Sequence, residues 1–308
     1  MKALFSNKGI TSIQVGMAIV LTLLLFFIIA FFLGQRDSNW LRTEFEKSAK
    51  KIHLAQTMRS ELFASAEAEK SSVMADTDEA SRAFAEQSML ASGKVEQARV
   101  ELEALIEKNS MEANLLGSFS SCWERLQEID KEVLSLAVQN TNLKALRRSF
   151  VPAASAIKQM EYALSRLMDW VESSPNAAQA IRLASKALTG ALNIYTLQAP
   201  HIAETTDAEM DRIEARMGQL DKQVRNALSS LDTQVEEQGK PLVSEAQKAY
   251  QDFWDLNAEI VDLSRQNSNI RSFDVSQGQK RNTMAQCLEL LNALQASVRE
   301  GATFKATK

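Results

Sequence analysis

The chain has 308 residues, 45% hydrophobic and 24% charged, which is too apolar for a disordered polypeptide and long enough for one large or two small domains. A formal charge of -4 offers no clustered basic face for phosphates, so nucleic acid is excluded as a partner. Only 10 glycines and 4 prolines stand among abundant Ala, Leu, Glu, Gln, Lys, Arg and Met, which predicts an all-α protein.

Residues 1–11 carry Lys2 and Lys8 and read as a cytoplasmic N-terminus. From Val15 to Leu33 about 19 residues pass without a charge, enough for a helix to cross a hydrocarbon core. Phe32 and Leu33 put bulk where a signal peptide needs small residues, so residues 12–34 are expected to be an uncleaved transmembrane anchor of a bacterial inner membrane. Residues 35–308 then lie in the periplasm, although Arg36 and Arg42 weaken the charge bias.

After the anchor, apolar residues recur at helical spacing, as in Leu41, Phe45, Ile52, Ala55, Leu62 and Ala66. No stretch alternates with the period of a strand. Helices are expected to start near Pro152, Pro175 and Pro241, with a softer break at Lys108-Asn109-Ser110. The segment Glu132 to Leu146 aligns without a gap on Glu259 to Phe273, 127 residues later, with five identities. Two copies of one helical unit follow, repeat 1 over about 35–172 and repeat 2 over about 176–300.

Each copy reads as one long stretch, about 38–108 or 176–236, and two shorter helices, about 112–148 with 152–172 and 241–272 with 275–300. The expected architecture is two stacked four-helix bundles built from six helices. The first long stretch reaches roughly 100 Å at the helical rise. A rival reading breaks both long stretches, because Asp76 with Glu79 and Thr206 with Glu209 have capping-box spacing. Eight short helices would result. Without glycine or proline in either turn, long helices are preferred.

The segments MRSELFASAEAEKSSVMADTDEASRAFAEQ, FSSCWERL and EVLSLAVQNTN, with their second-copy counterparts, resemble the four-helix-bundle sensor domain of methyl-accepting chemotaxis proteins, in its helical bimodular variant. The resemblance covers most of residues 12–300. It implies a homodimeric extracytoplasmic module that binds a small organic acid or amino acid and serves chemotaxis and signal transduction. The chain stops at Lys308, where the family continues into a second membrane helix and a signalling domain. A truncated receptor and a free-standing sensor with a separate signalling partner both stay open.

No catalytic constellation emerges: there is no CxxC, HExxH or phosphate loop, and no cofactor or enzyme activity is expected. Cys122 and Cys287 are far apart, each within a helical pattern, and read as small core hydrophobes rather than a disulfide scaffold. His201 and Glu204 beside Pro200, with Asp207, form a weak metal candidate. For an anionic solute, arginine is the natural partner. Arg59 falls in the stripe 52, 55, 59, 62, 66. The repeated QN(T/S)N segments bring Asn140 and Asn142 near Arg147 and Arg148, and Asn267 and Asn269 near Arg271 and Arg281. They either line a solute pocket or seal helix ends. The rival to a ligand-binding module is a helical scaffold acting through protein contacts.

Overall fold

A computed structural model describes the backbone of residues 12–306 and the side chains of 17, 21–28 and 42–300. It is helical throughout the described residues, with no strand. Ten α-helices follow one another: α1 Ser12–Val73, α2 Asp78–Glu103, α3 Met111–Ala137, α4 Thr141–Arg148, α5 Ala154–Val171, α6 Ala177–Ala203, α7 Asp207–Gln234, α8 Lys240–Gln266, α9 Ser268–Val275 and α10 Arg281–Ala306. Single π turns, Ser149–Ala153 and Ser276–Lys280, join α4 to α5 and α9 to α10 as continuous rods. The described chain therefore makes eight rods, not six.

The correction falls on the two long stretches. Each breaks at the place where capping chemistry was available, over 74–77 and 204–206. At the first break the Thr77 hydroxyl accepts from Ala80 N at 3.1 Å. At the second, Glu204 Oε1 accepts from Thr205 N at 2.8 Å and Thr206 N at 2.9 Å. At the first break the bonded amide belongs to the new helix; at the second, Glu204 folds back on the two amides that precede α7 and so stabilises the turn. Proline itself behaves in three ways. Pro241 sits in the first turn of α8 and Pro175 in the turn before α6, whereas Pro152 lies inside a rod, in the first π turn. The second π turn has Gln279 in the equivalent place, so the wide turn belongs to the repeat and not to proline.

The expected anchor falls largely on side chains outside the described residues, as do residues 1–11. Among the described residues no helix is long and apolar enough to cross a membrane. Met17 and Leu21, Leu23, Leu24, Leu25, Phe26, Phe27 and Ile28 stand exposed on α1.

The chain divides into two compact units. The first takes Met1–Leu62, Gly93–Cys122 and Gln286–Lys308. Its buried residues include Met58, Leu62, Leu102, Phe119 and Leu294. Lys51 and Glu112 pair at 2.6 Å. Cys122 of α3 and Cys287 of α10 form a disulfide with Cα atoms 5.7 Å apart, which corrects the reading of both as free core residues.

The second unit takes Phe63–Ser92 and Trp123–Ala285. Here α5, α6, α7 and α8 bury a core around Met160, Leu164, Leu167, Ile194, Val224 and Phe253. The seam of α6 is small, with Ala180, Ala184, Ala187 and Ala191 buried. A Cβ on Gly190 would come within 2.6 Å of Val224 Cγ2, so only glycine allows α6 and α7 this approach. A second cluster in this unit joins Val73, Ile129, Val133 and Ala137. The last rod of each repeat packs on the other repeat's helices: α5 lies on α6 and α8, and α10 is tied to α3.

Candidate functional site

The two QN(T/S)N segments do meet, inside the second unit. Asn140 and Asn267 adopt left-handed backbone, with φ of 50° and 52°, a conformation that asparagine tolerates better than most residues. Each turns the chain from one rod into the next, from α3 into α4 and from α8 into α9. The residues that follow then clasp each other reciprocally. Asn142 N donates to Asn269 Oδ1 and Asn269 N to Asn142 Oδ1, both at 3.2 Å. Thr141 N donates to Ser268 Oγ at 3.1 Å and Ser268 N to Thr141 Oγ1 at 3.0 Å. Asn142 Nδ2 reaches Asn267 Oδ1 at 2.7 Å and the Ile202 carbonyl at 2.9 Å, while Asn269 Nδ2 reaches Asn140 Oδ1 at 3.0 Å. Asparagine amides that would otherwise recruit a ligand are engaged with one another and with helix ends.

The outer edge of the clasp is charged. Asp78 accepts from Asn140 Nδ2 at 3.0 Å and lies 3.3 Å from Lys144 Nζ. Burial pushes its carboxyl up, but Asn140 and Lys144 together outweigh that and hold it below the usual range.

The predicted arginines do not converge on the asparagines. Arg147, Arg148, Arg271 and Arg281 are exposed; Arg147 donates to the Asp76 carbonyl and Arg148 pairs with Glu259 at 2.6 Å. Arg59 belongs to the first unit and is exposed, because the buried stripe of α1 runs through Ala55, Met58 and Leu62.

His201 and Glu204 also part. Glu204 caps the 204–206 turn from an exposed position, and His201 is fully buried. The Ser264 hydroxyl donates to the His201 carbonyl at 2.9 Å, so its oxygen accepts from Nδ1 at 2.8 Å. Glu214 Oε1 lies 2.8 Å from Nε2 and accepts from Arg265 Nε at 2.6 Å. Among the described residues no three His, Cys, Asp or Glu side chains gather to hold a metal.

Burial pushes the Glu214 carboxyl up, yet Arg265 and His201 outweigh it and keep it below the ordinary range. A depressed carboxyl contributes stability above its unfolded value, near 4.5, and loses it as pH falls through the folded value. Replacing Glu214 with Gln is expected to flatten the acid limb of a urea-unfolding series between about pH 6 and pH 3, by about 1 kcal/mol or less because the side chain is a third exposed. Equal slopes for the two proteins would remove this role.

Two buried polar layers went unnoticed at the sequence level. Around two residues of repeat 2, Ser149 Oγ of repeat 1 donates to Gln198 Oε1 at 2.7 Å and Gln198 Nε2 to Asn257 Oδ1 at 2.9 Å. In repeat 1 the corresponding places hold charges. Asp130 lies 127 residues before Asn257, and Glu69 stands eight residues ahead of Thr77 as Gln198 does ahead of Thr206. Lys280 Nζ, from the second π turn, lies 2.7 Å from both Glu69 Oε2 and Asp130 Oδ1. Extending the repeat alignment to these Glu/Gln and Asp/Asn pairs was the available signal. Serines complete this half: Ser65 meets Ser88 and Ser92 at 3.1 and 2.9 Å, and Ser72 meets Ser81 at 3.2 Å.

A surface groove of about 440 Å³ between α5 and α8 is lined by Ser155, Lys158, Gln159, Tyr162, Lys248 and Asp252, with Glu245 at its edge engaged by Arg166.

No family model matches the chain, and no curated protein matches it in sequence. Among solved structures, the sensor domain of the V. parahaemolyticus histidine kinase sensor TorS is similar, with 12% identity and a TM-score of 0.46 over 81% of this chain and 97% of that one.

Proposed function

We propose that the chain is a membrane-anchored, extracytoplasmic sensory module of chemoreceptor type, which seats a small solute between helices. The observation that carries this reading is the reciprocal clasp of Thr141-Asn142 with Ser268-Asn269, with a π turn one rod-segment beyond it in each repeat. Buried, mutually satisfied polar networks hold one discrete arrangement, and π turns are places where a helix shifts register locally. A displacement of either repeat is thus felt by the other. The α5–α8 groove is the seat: Lys158 and Lys248 suit a carboxylate and Asp252 an ammonium, which together favour an amino acid.

Two further features support the setting. Leu21 through Ile28 expose apolar side chains on every side of α1, the pattern of a helix surrounded by lipid. The Cys122–Cys287 disulfide suits an oxidising compartment.

The test is calorimetry on the full chain in lipid nanodiscs against organic acids and amino acids, paired with hydrogen exchange at α4 and α9. A saturable ligand is expected that fails to bind Lys158→Ala/Lys248→Ala protein and alters exchange at the clasp. Absence of any binding across a broad panel removes the solute reading. A scaffold role is favoured by Phe150 and Val151, 62% and 70% exposed in the first π turn. Cross-linking in native membranes to a stable protein partner, with no solute response, would select it.

A further inference from the structure

The charged layer of repeat 1 and the neutral layer of repeat 2 occupy equivalent places but differ in how well they are satisfied. Around Gln198 and Asn257 every amide group has a partner, the last being Asn257 Nδ2 to Met217 Sδ at 3.7 Å. Around Lys280 two carboxyl oxygens are less well served: Glu69 Oε1 and Asp130 Oδ1 are buried without a hydrogen bond, the latter with the Lys280 ammonium 2.7 Å away as an ion pair. Glu69, Asp130 and Lys280 are 0%, 7% and 3% exposed. With all three ionised, the layer holds two negative charges and one positive in a largely buried place.

Among the described residues, Lys280 and Glu69 are the charges that act on Asp130. Glu69 comes from α1, Asp130 from α3 and Lys280 from the π turn. The serine contacts set α2 in register so that Ala85 lies opposite Glu69; the buried positions of α2 there are Ser81, Ala85 and Ser88, while Arg82 and Glu86 are exposed. From α9 the neighbouring cluster receives Val275, and α10 adds Thr283, whose hydroxyl donates to the Gln279 carbonyl.

A buried ion is tolerated only when it is paired and its remaining lone pairs are satisfied; otherwise the group neutralises. One proton resolves both defects. It cancels the excess charge, and as an O–H it adds a donor to a layer whose carboxyl oxygens lack them. We propose that the Glu69–Asp130–Lys280 layer is a one-proton binding site, which keeps one of its two carboxyls protonated and couples the packing of α1, α3 and the second π turn to ambient pH. The inference stands apart from solute binding and holds for a sensor or a scaffold alike.

Burial, the largest influence on Asp130, pushes its carboxyl up against the pull of Lys280, and Glu69 adds to the rise. The sign follows from that direction. A raised carboxyl contributes stability that is complete below its unfolded value, near 3.8, and is lost as pH climbs through the folded value.

Infrared difference spectroscopy of the full chain, held in nanodiscs and titrated from about pH 4 to pH 8, reads the proton directly. Exposed carboxyls with ordinary values near 4 are ionised by about pH 6. The wild type is expected to keep a protonated-carboxyl band of one group beyond that point, lost in Asp130→Asn or in Glu69→Gln. The triple variant Glu69→Gln/Asp130→Asn/Lys280→Ala, which copies the neutral layer of repeat 2, is expected to fold and to show no such band. A wild-type spectrum without the band above about pH 6, or a band that survives in the triple variant, overturns the proposal.

Discussion

Replacing Cys122 and Cys287 together with alanine is expected to lower the unfolding free energy by about 3–5 kcal/mol, read as a shift of the urea midpoint of the full chain followed by circular dichroism. The bridge closes a loop of 165 residues, for which loop-closure entropy alone gives roughly 5 kcal/mol. Alanine at two fully or nearly fully buried sites adds a small packing loss. Reductant should reproduce most of the shift in the wild type and none in the variant. Equal midpoints with and without reductant would mean that the two sulfurs are not joined. Because α10 belongs to repeat 2 and α3 to repeat 1, the bond also ties the chain's two copies together far from the clasp in sequence.

That bond shows why parts of the architecture were illegible. Cysteines 165 residues apart reveal nothing until it is known that α10 returns alongside α3, and this is a tertiary fact. The repeat, by contrast, was legible to the residue: the 127-residue offset places Asn140 on Asn267 and Ser149 on Ser276, and the structure gives both pairs the same backbone turn. Helix periodicity was legible too: Ala55, Leu62 and Ala66 of the expected α1 stripe are buried, and at one place Met58 and not Arg59 faces inward. A thioether and a guanidinium side by side are poor markers of phase, because an arginine stem covers apolar surface almost as well. The breaks at 74–77 and 204–206 hold neither glycine nor proline, so the sequence favours unbroken helices there, and the polar side chains that turn the chain are a weak signal until they are seen bonded to backbone amides. Glu69, Asp130 and Lys280 were the least legible. Single charges on a helix ordinarily mark its solvated face, and only the neutral pair in the second copy indicates that these positions point inward.

The asparagine clasp is the element whose loss should be felt most widely. Asn142→Leu removes the donor from the Ile202 carbonyl and from Asn267 Oδ1, and the acceptor from Asn269 N. Each orphaned buried group costs about 1–3 kcal/mol, so the variant is expected to lose about 3–5 kcal/mol in urea unfolding. Leucine fills a similar volume, and a loss of that size therefore measures unpaired polar groups rather than a cavity. A double-mutant cycle between Asn142→Ala and Asn269→Ala distinguishes a clasp from two independent helix caps. Reciprocal bonding predicts non-additivity of about 1–3 kcal/mol, because the second substitution removes a group that the first has already stranded. Separate capping predicts additive losses of about 1 kcal/mol each. Additivity within about 0.5 kcal/mol would therefore detach the two repeats energetically, and with that the argument that a displacement in one is transmitted to the other.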